Sequence, residues 1–83
     1  MDYDLTQHAR TVISERKIPL AWVERVIDDP QRVEPDLQDP ELEHRLKAVP
    51  EYDGRVLRVI INTEKTPVRI VTVYFDRTMR GKL

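Results

Sequence analysis

Apolar residues change period partway along this chain. In the first third they recur at helical spacing, as Leu5, Ala9, Val12 and Ile13 and then Leu20, Trp22, Val23, Val26 and Ile27. Thr6 is placed to cap a first helix over 7–17, and Pro19 suits the opening turn of a second, which Asp28-Asp29-Pro30 ends. From His44 onward the period is two. Residues 44–49 and 55–62 flank Pro-Glu-Tyr-Asp-Gly and predict a β-hairpin. A second turn at 63–67 leads into the near-continuously apolar run Val68–Phe75, which predicts a central strand. Between the two halves, Pro30, Pro35 and Pro40 exclude a long helix and leave room for a short edge strand near Arg32-Val33-Glu34.

The pattern therefore predicts one α+β domain over 1–83, with two N-terminal helices packed on one face of a three- to four-stranded antiparallel sheet. Residues 77–83 read as a mobile basic tail. Strand alternation assigns Leu57, Val59, Ile61, Val71, Val73 and Phe75 to the helix-covered face. Val56, Arg58, Ile60, Ile70, Thr72, Tyr74 and Asp76 then occupy the other. If Arg45 and Lys47 share that second face, it is basic, carries a tyrosine and is open to a partner.

Composition narrows the chemistry. With 83 residues and no cysteine, the chain has room for one small core and has no disulfide, thiolate nucleophile or cysteine-held metal. No apolar stretch approaches membrane-spanning length, and the acidic start Met-Asp-Tyr-Asp does not resemble a signal peptide, so a cytoplasmic location is expected. The net charge of −1 hides an asymmetry: residues 28–43 hold seven acids and one base, whereas 44–83 hold four acids and nine bases. A basic surface facing an anion is one consequence, and an acidic segment able to fold back over it is another.

Arg58, set between apolar residues, needs an anionic or hydrogen-bonding partner, and a phosphate is one candidate. Tyr74 beside it is suited to stacking on a base, while Arg45 and Lys47 extend the same cationic surface toward RNA phosphates. His8 is the candidate proton carrier, because imidazole exchanges protons near neutral pH without help. Arg16 falls within the apolar stripe of the first helix, where it serves the helix end, pairs with Asp76 or meets a ligand. His44 lies beside the acidic segment, and no His and acid spacing indicates a metal site. Neither a cofactor nor a metal is expected.

His8-Ala9 followed by Glu15-Arg16-Lys17-Ile18, then Trp22-Val23-Glu24, the Asp29-Pro30 ending, Gly54–Val59 and Val71–Phe75 together resemble a bacterial domain family of unknown function numbered 4258. That family is usually grouped with RelE-type toxins and other small ribonuclease-like domains. The resemblance implies a RelE-like fold and a metal-independent endoribonuclease of a toxin-antitoxin pair. It implies RNA, ribosome-bound mRNA included, as substrate and a small antitoxin protein as partner, with His8, Arg16, Arg58 and Tyr74 as the site. Two positions depart from the family pattern: Val12 stands where an arginine is common, and Lys17 where a glycine is. The alternative is a non-catalytic module that binds protein or nucleic acid, with His8 and Arg16 structural. Exposed sheet edges also offer a surface for a homodimer under either reading.

Overall fold

The computed structural model describes residues 2–83. In chain order the elements are β1 (Tyr3–Leu5), α1 (Gln7–Arg16), α2 (Leu20–Asp28), β2 (Arg32–Pro35), β3 (Leu42–Val49), β4 (Arg55–Asn62) and β5 (Val68–Phe75). Short 3₁₀ turns occupy Pro50–Tyr52 and Arg77–Met79. The five strands form one sheet in the order β1-β5-β4-β3-β2. The α+β class and the two helices stand as expected, but the sheet does not. It has five strands rather than three or four, and it is mixed, because β1 pairs parallel to β5.

β1 escaped the sequence reading because three residues are too few to display a period. It forms because it runs straight into the first helix cap. Thr6 donates its backbone N–H to the Ile70 carbonyl at 3.0 Å and its hydroxyl to the Val71 carbonyl at 2.9 Å, while its Oγ1 accepts from the Ala9 amide at 3.0 Å. One threonine thus caps α1 and fixes β1 against β5. Tyr3 adds a second tie, donating its hydroxyl to Glu24 on α2 at 2.7 Å. Burial, then the hydrogen bond to Glu24 and its charge, push the Tyr3 phenol up to about 12.

The two helices pack on the face carrying Leu57, Val59, Ile61, Ile70 and Val73, and Ala9, Ile18, Val23, Val26 and Ile27 complete the core. Ile70 replaces Val71 in the expected set because β5 holds a bulge. Ile60 faces Thr72 and Ile61 faces Ile70, which leaves Val71 as an extra residue and reverses the alternation before it. Arg45 and Lys47 also lie on the helix side, opposite Val59 and Leu57, and not with Arg58. Their long side chains meet the end of α2: Arg45 donates to the Ile27 carbonyl at 2.7 Å, and Lys47 to the Asp29 carbonyl at 2.8 Å. These cations satisfy carbonyls that the helix leaves free and complement its negative end.

α1 ends in a left-handed residue, Lys17, at φ 54 and ψ 44, with the Ile18 amide bonded back to the Ile13 carbonyl at 3.0 Å. Buried Ile18 closes the turn against the core. A side chain is unfavourable at this φ, and glycine is free of that cost. Lys17→Gly is therefore expected to stabilise the domain by about 1 kcal/mol. That corresponds to a thermal midpoint raised by roughly 4–8 °C, and circular dichroism melting measures it.

Candidate functional site

The face of the sheet turned away from the helices is organised around Arg58, whose side chain is only 11% exposed. Its Nε donates to Asp76 Oδ2 at 2.9 Å, and its Nη2 meets the same oxygen at 2.8 Å. Nη1 donates to Glu34 at 3.1 Å and to His44 Nδ1 at 2.8 Å. Because a guanidinium can only donate, His44 Nδ1 accepts, and its Nε2 proton goes to Asp36 at 2.7 Å. Register explains the convergence: Arg58 sits opposite Leu46 and Tyr74, and Glu34 sits opposite His44 on the adjoining pair.

Burial opposes the Arg58 charge, but the hydrogen bonds it donates to Asp76 and then to Glu34 outweigh it and raise its pKa above the ordinary arginine value. Asp76 is held below the usual carboxylate range, first by its hydrogen bonds from Thr78 and also by Arg58. His44 does the same for Asp36, helped by the Asp39 and Gln38 amides. The sequence places Arg58 where it needs an anion, and the protein supplies that anion itself. Every guanidinium nitrogen is engaged, so Arg58 is not offered to a ligand.

A groove of about 670 Å³ opens along the other flank, between α1, the last residues of β5 and the 3₁₀ turn that follows. Arg16, Arg55, Arg77 and Arg80 line it, with Tyr52, Thr72 and Tyr74. Among the described residues none of these four arginines makes an ion pair. Glu15 and Asp76 are the acids lining the groove, and Asp76 already faces Arg58. Arg16 has no carboxylate of its own, so of the alternatives open to it the pairing with Asp76 does not form. Arg55 lies over the Tyr52 ring at 4.3 Å from its centroid, and Trp22 and Phe75 pack around the same ring. Tyr74 is left as the aromatic available to a ligand, 43% exposed.

His8 stands at the far end of this row. It lies one helical turn before Val12 and two before Arg16, on the α1 face that borders the groove. Its Nε2 is 3.1 Å from Thr72 Oγ1. At 1.5 Å per residue, about 12 Å of helix separates the His8 and Arg16 backbones. Of the residues singled out from sequence, His8, Arg16 and Tyr74 are brought to one flank. Arg58 is behind it in the buried network, and Arg45 and Lys47 are on the helix side.

Arg55, Arg77 and Arg80 were missed. A signal for the last two lay in Asp76-Arg77-Thr78-Met79-Arg80: an N-cap residue followed by arginines three apart, which a 3₁₀ turn brings to the same side. The family model for the domain of unknown function DUF4258 matches residues 5–75. This chain belongs to the DUF4258 family. Neither a curated protein nor a solved structure matches it. In this DUF4258 domain the matched segment includes His8, Arg16, Arg55 and Tyr74 but ends before Arg77 and Arg80, so two groove arginines come from outside it.

The carboxylates held low set the acid behaviour. A carboxyl whose folded pKa is depressed contributes its full stability above the unfolded value of about 4 and loses it as pH falls through the folded value. Asp36 and Asp76 follow this rule, and Glu51, hydrogen-bonded by Arg25, is lowered to about 2. Asp76→Asn should cost about 1.5–3 kcal/mol at pH 7. The difference from wild type should shrink as pH drops below about 4. Urea titrations at pH 7, 4 and 2.5 would show this, and a difference independent of pH would contradict it.

Proposed function

We propose that this DUF4258 domain is an RNA-directed protein whose arginine groove takes the phosphate backbone. The supporting observation is four arginines without carboxylate partners lining one concave surface beside an exposed tyrosine. In a domain with 15 acids and 14 Lys and Arg residues, cations left unpaired at one place are available to an external anion. Guanidinium forks suit phosphate oxygens, and Tyr74 suits an unstacked base, which favours single-stranded RNA.

The catalytic form of this reading resembles RelE-type toxins. His8 Nε2 takes the proton of a ribose 2′-hydroxyl while that oxygen attacks the adjacent phosphorus. The bond to the 5′-oxygen breaks, water protonates the leaving oxygen, and a 2′,3′-cyclic phosphate remains. Arg16, Arg77 and Arg80 offset the charge that develops on the phosphate, a role the buried Arg58 is not placed to perform. In a toxin-antitoxin pair, a small antitoxin with an acidic segment would compete for the same arginines. A binding module without catalysis is favoured by one observation: Val12, an apolar residue, lies on the groove between His8 and Arg16.

Purified protein incubated with total RNA and with ribosomes in chelator separates the readings. Cleavage abolished by His8→Ala, with RNA binding retained, supports the nuclease. Intact RNA with salt-sensitive binding, weakened by Arg16→Ala and tightened by Val12→Arg, supports the module. Each phosphate contact removed should lower the slope of log affinity against log salt by about 0.7. Absence of RNA binding at low salt would reject both.

A further inference from the structure

The groove owes two of its four arginines to a single 3₁₀ turn, Arg77–Met79 with Arg80 at its end, and that turn has little apolar anchorage. Arg77, Thr78 and Arg80 are exposed and Met79 is only half-buried. Its position depends on Asp76. One carboxylate oxygen, Oδ1, accepts from the Thr78 amide at 3.0 Å and from the Thr78 hydroxyl at 2.6 Å. The other, Oδ2, accepts from Arg58 at 2.9 and 2.8 Å. The Asp76 amide donates to the Val56 carbonyl at 2.8 Å, and the Met79 amide returns to the Asp76 carbonyl at 3.2 Å. Asp76 is thus the joint between the buried network and the turn, with one oxygen for each. Because residues three apart eclipse in a 3₁₀ turn, fixing the turn aims Arg77 and Arg80 the same way. Arg80 is steadied further by donating to the Asp53 carbonyl at 2.9 Å.

We infer that Asp76 is a positioning residue for anion binding: by capping the turn from a carboxylate anchored on Arg58, it holds Arg77 and Arg80 in the groove. An acid at the groove's edge would ordinarily oppose an anionic ligand. Here its charge is directed into Arg58 and Thr78, so it orders two cations. The inference rests on the RNA-binding reading for its ligand, but the positioning itself has a separate readout.

The test compares wild type, Asp76→Ala, Glu34→Gln and the double variant Arg77→Ala/Arg80→Ala, each confirmed folded by circular dichroism. The ligand is a single-stranded oligoribonucleotide titrated at several salt concentrations. Losing two phosphate contacts should reduce the salt slope by about 1.4. The double variant and Asp76→Ala should share that reduction. Glu34→Gln perturbs Arg58 from its other side and leaves the cap intact, so it should keep the wild-type slope. A folded Asp76→Ala with the wild-type slope overturns the inference, as does Glu34→Gln matching Asp76→Ala. Independently of RNA, the Thr78 and Met79 amides should exchange hydrogen at least tenfold faster in Asp76→Ala. Unchanged exchange overturns the positioning role, whereas faster exchange without RNA binding in wild type upholds it and rejects RNA as the ligand. If Asp76→Ala does not fold, Thr78→Val, which removes the 2.6 Å hydroxyl contact and leaves the Arg58 pair, carries the same comparison with the same two outcomes.

Discussion

A guanidinium buried on a β-sheet is the constraint around which this domain is arranged. Arg58 occupies the middle strand of five, on the side the helices do not cover, where an unpaired charge would be strongly unfavourable. Its partners come from three directions: Glu34 from the edge strand, His44 from the neighbouring strand and Asp76 from the end of β5. Two of these partners, Glu34 and Asp76, belong to segments with few apolar residues to bury. β2 is mostly exposed, and the turn after β5 is polar, so hydrophobic burial alone gives neither a defined place. Directional charge-assisted hydrogen bonds do, and they select one register where a greasy contact would accept several.

The same constraint sorts the arginines. Those that can reach a carboxylate or a helix end do so: Arg25 with Glu51, Arg32 with Glu34, Arg45 with Glu43 and the Ile27 carbonyl. The acidic middle of the chain supplies many of those partners, including Glu34 and Asp36, and it lies at the β2 edge of the sheet. At the opposite flank, beyond the reach of that segment, Arg16, Arg55, Arg77 and Arg80 remain without carboxylates. The charge asymmetry in the sequence is thereby converted into a spatial one. One side of the sheet is internally neutralised and the other is left cationic.

Elements governed by local rules were legible in the sequence. The Thr6 cap, both helices, the Asp53-Gly54 turn and the two hairpins each depend on neighbours within a few residues, and all appear near their expected positions. The failures share a different cause. The bulge at Val71 of β5, opposite the Ile60/Ile61 step of β4, moves Ile70 into the core, and nothing in a run of Val, Ile and Thr marks where an extra residue falls. Arg45 and Lys47 sit on the helix side because hairpin register, fixed through the turn at Pro50–Gly54, decides their face. Their charged ends made the opposite side look natural until α2 was there to receive them. At the site, His8, Arg16 and Tyr74 could be picked out singly, since each is chemically conspicuous. The cluster could not, because it depends on a 3₁₀ turn where a loose tail was expected.

Lys17 joins the fold to the site. The left-handed turn it makes brings Ile18 into the core and stops α1 immediately after Arg16, at the mouth of the groove. Helix continuation would carry Arg16 into the body of a longer helix with its carbonyl bonded onward. Termination instead leaves it in the last turn, where a cation complements the helix's negative end. Arg16 thus lines the groove from the last turn of α1 with no carboxylate partner, and its charge stays free to meet an anion. A side chain is tolerated at φ 54 because the turn is held on both sides, by the Ile18 to Ile13 hydrogen bond and by Ile18 burial. The strain falls on a residue outside the groove lining, while its benefit falls on the neighbour within it.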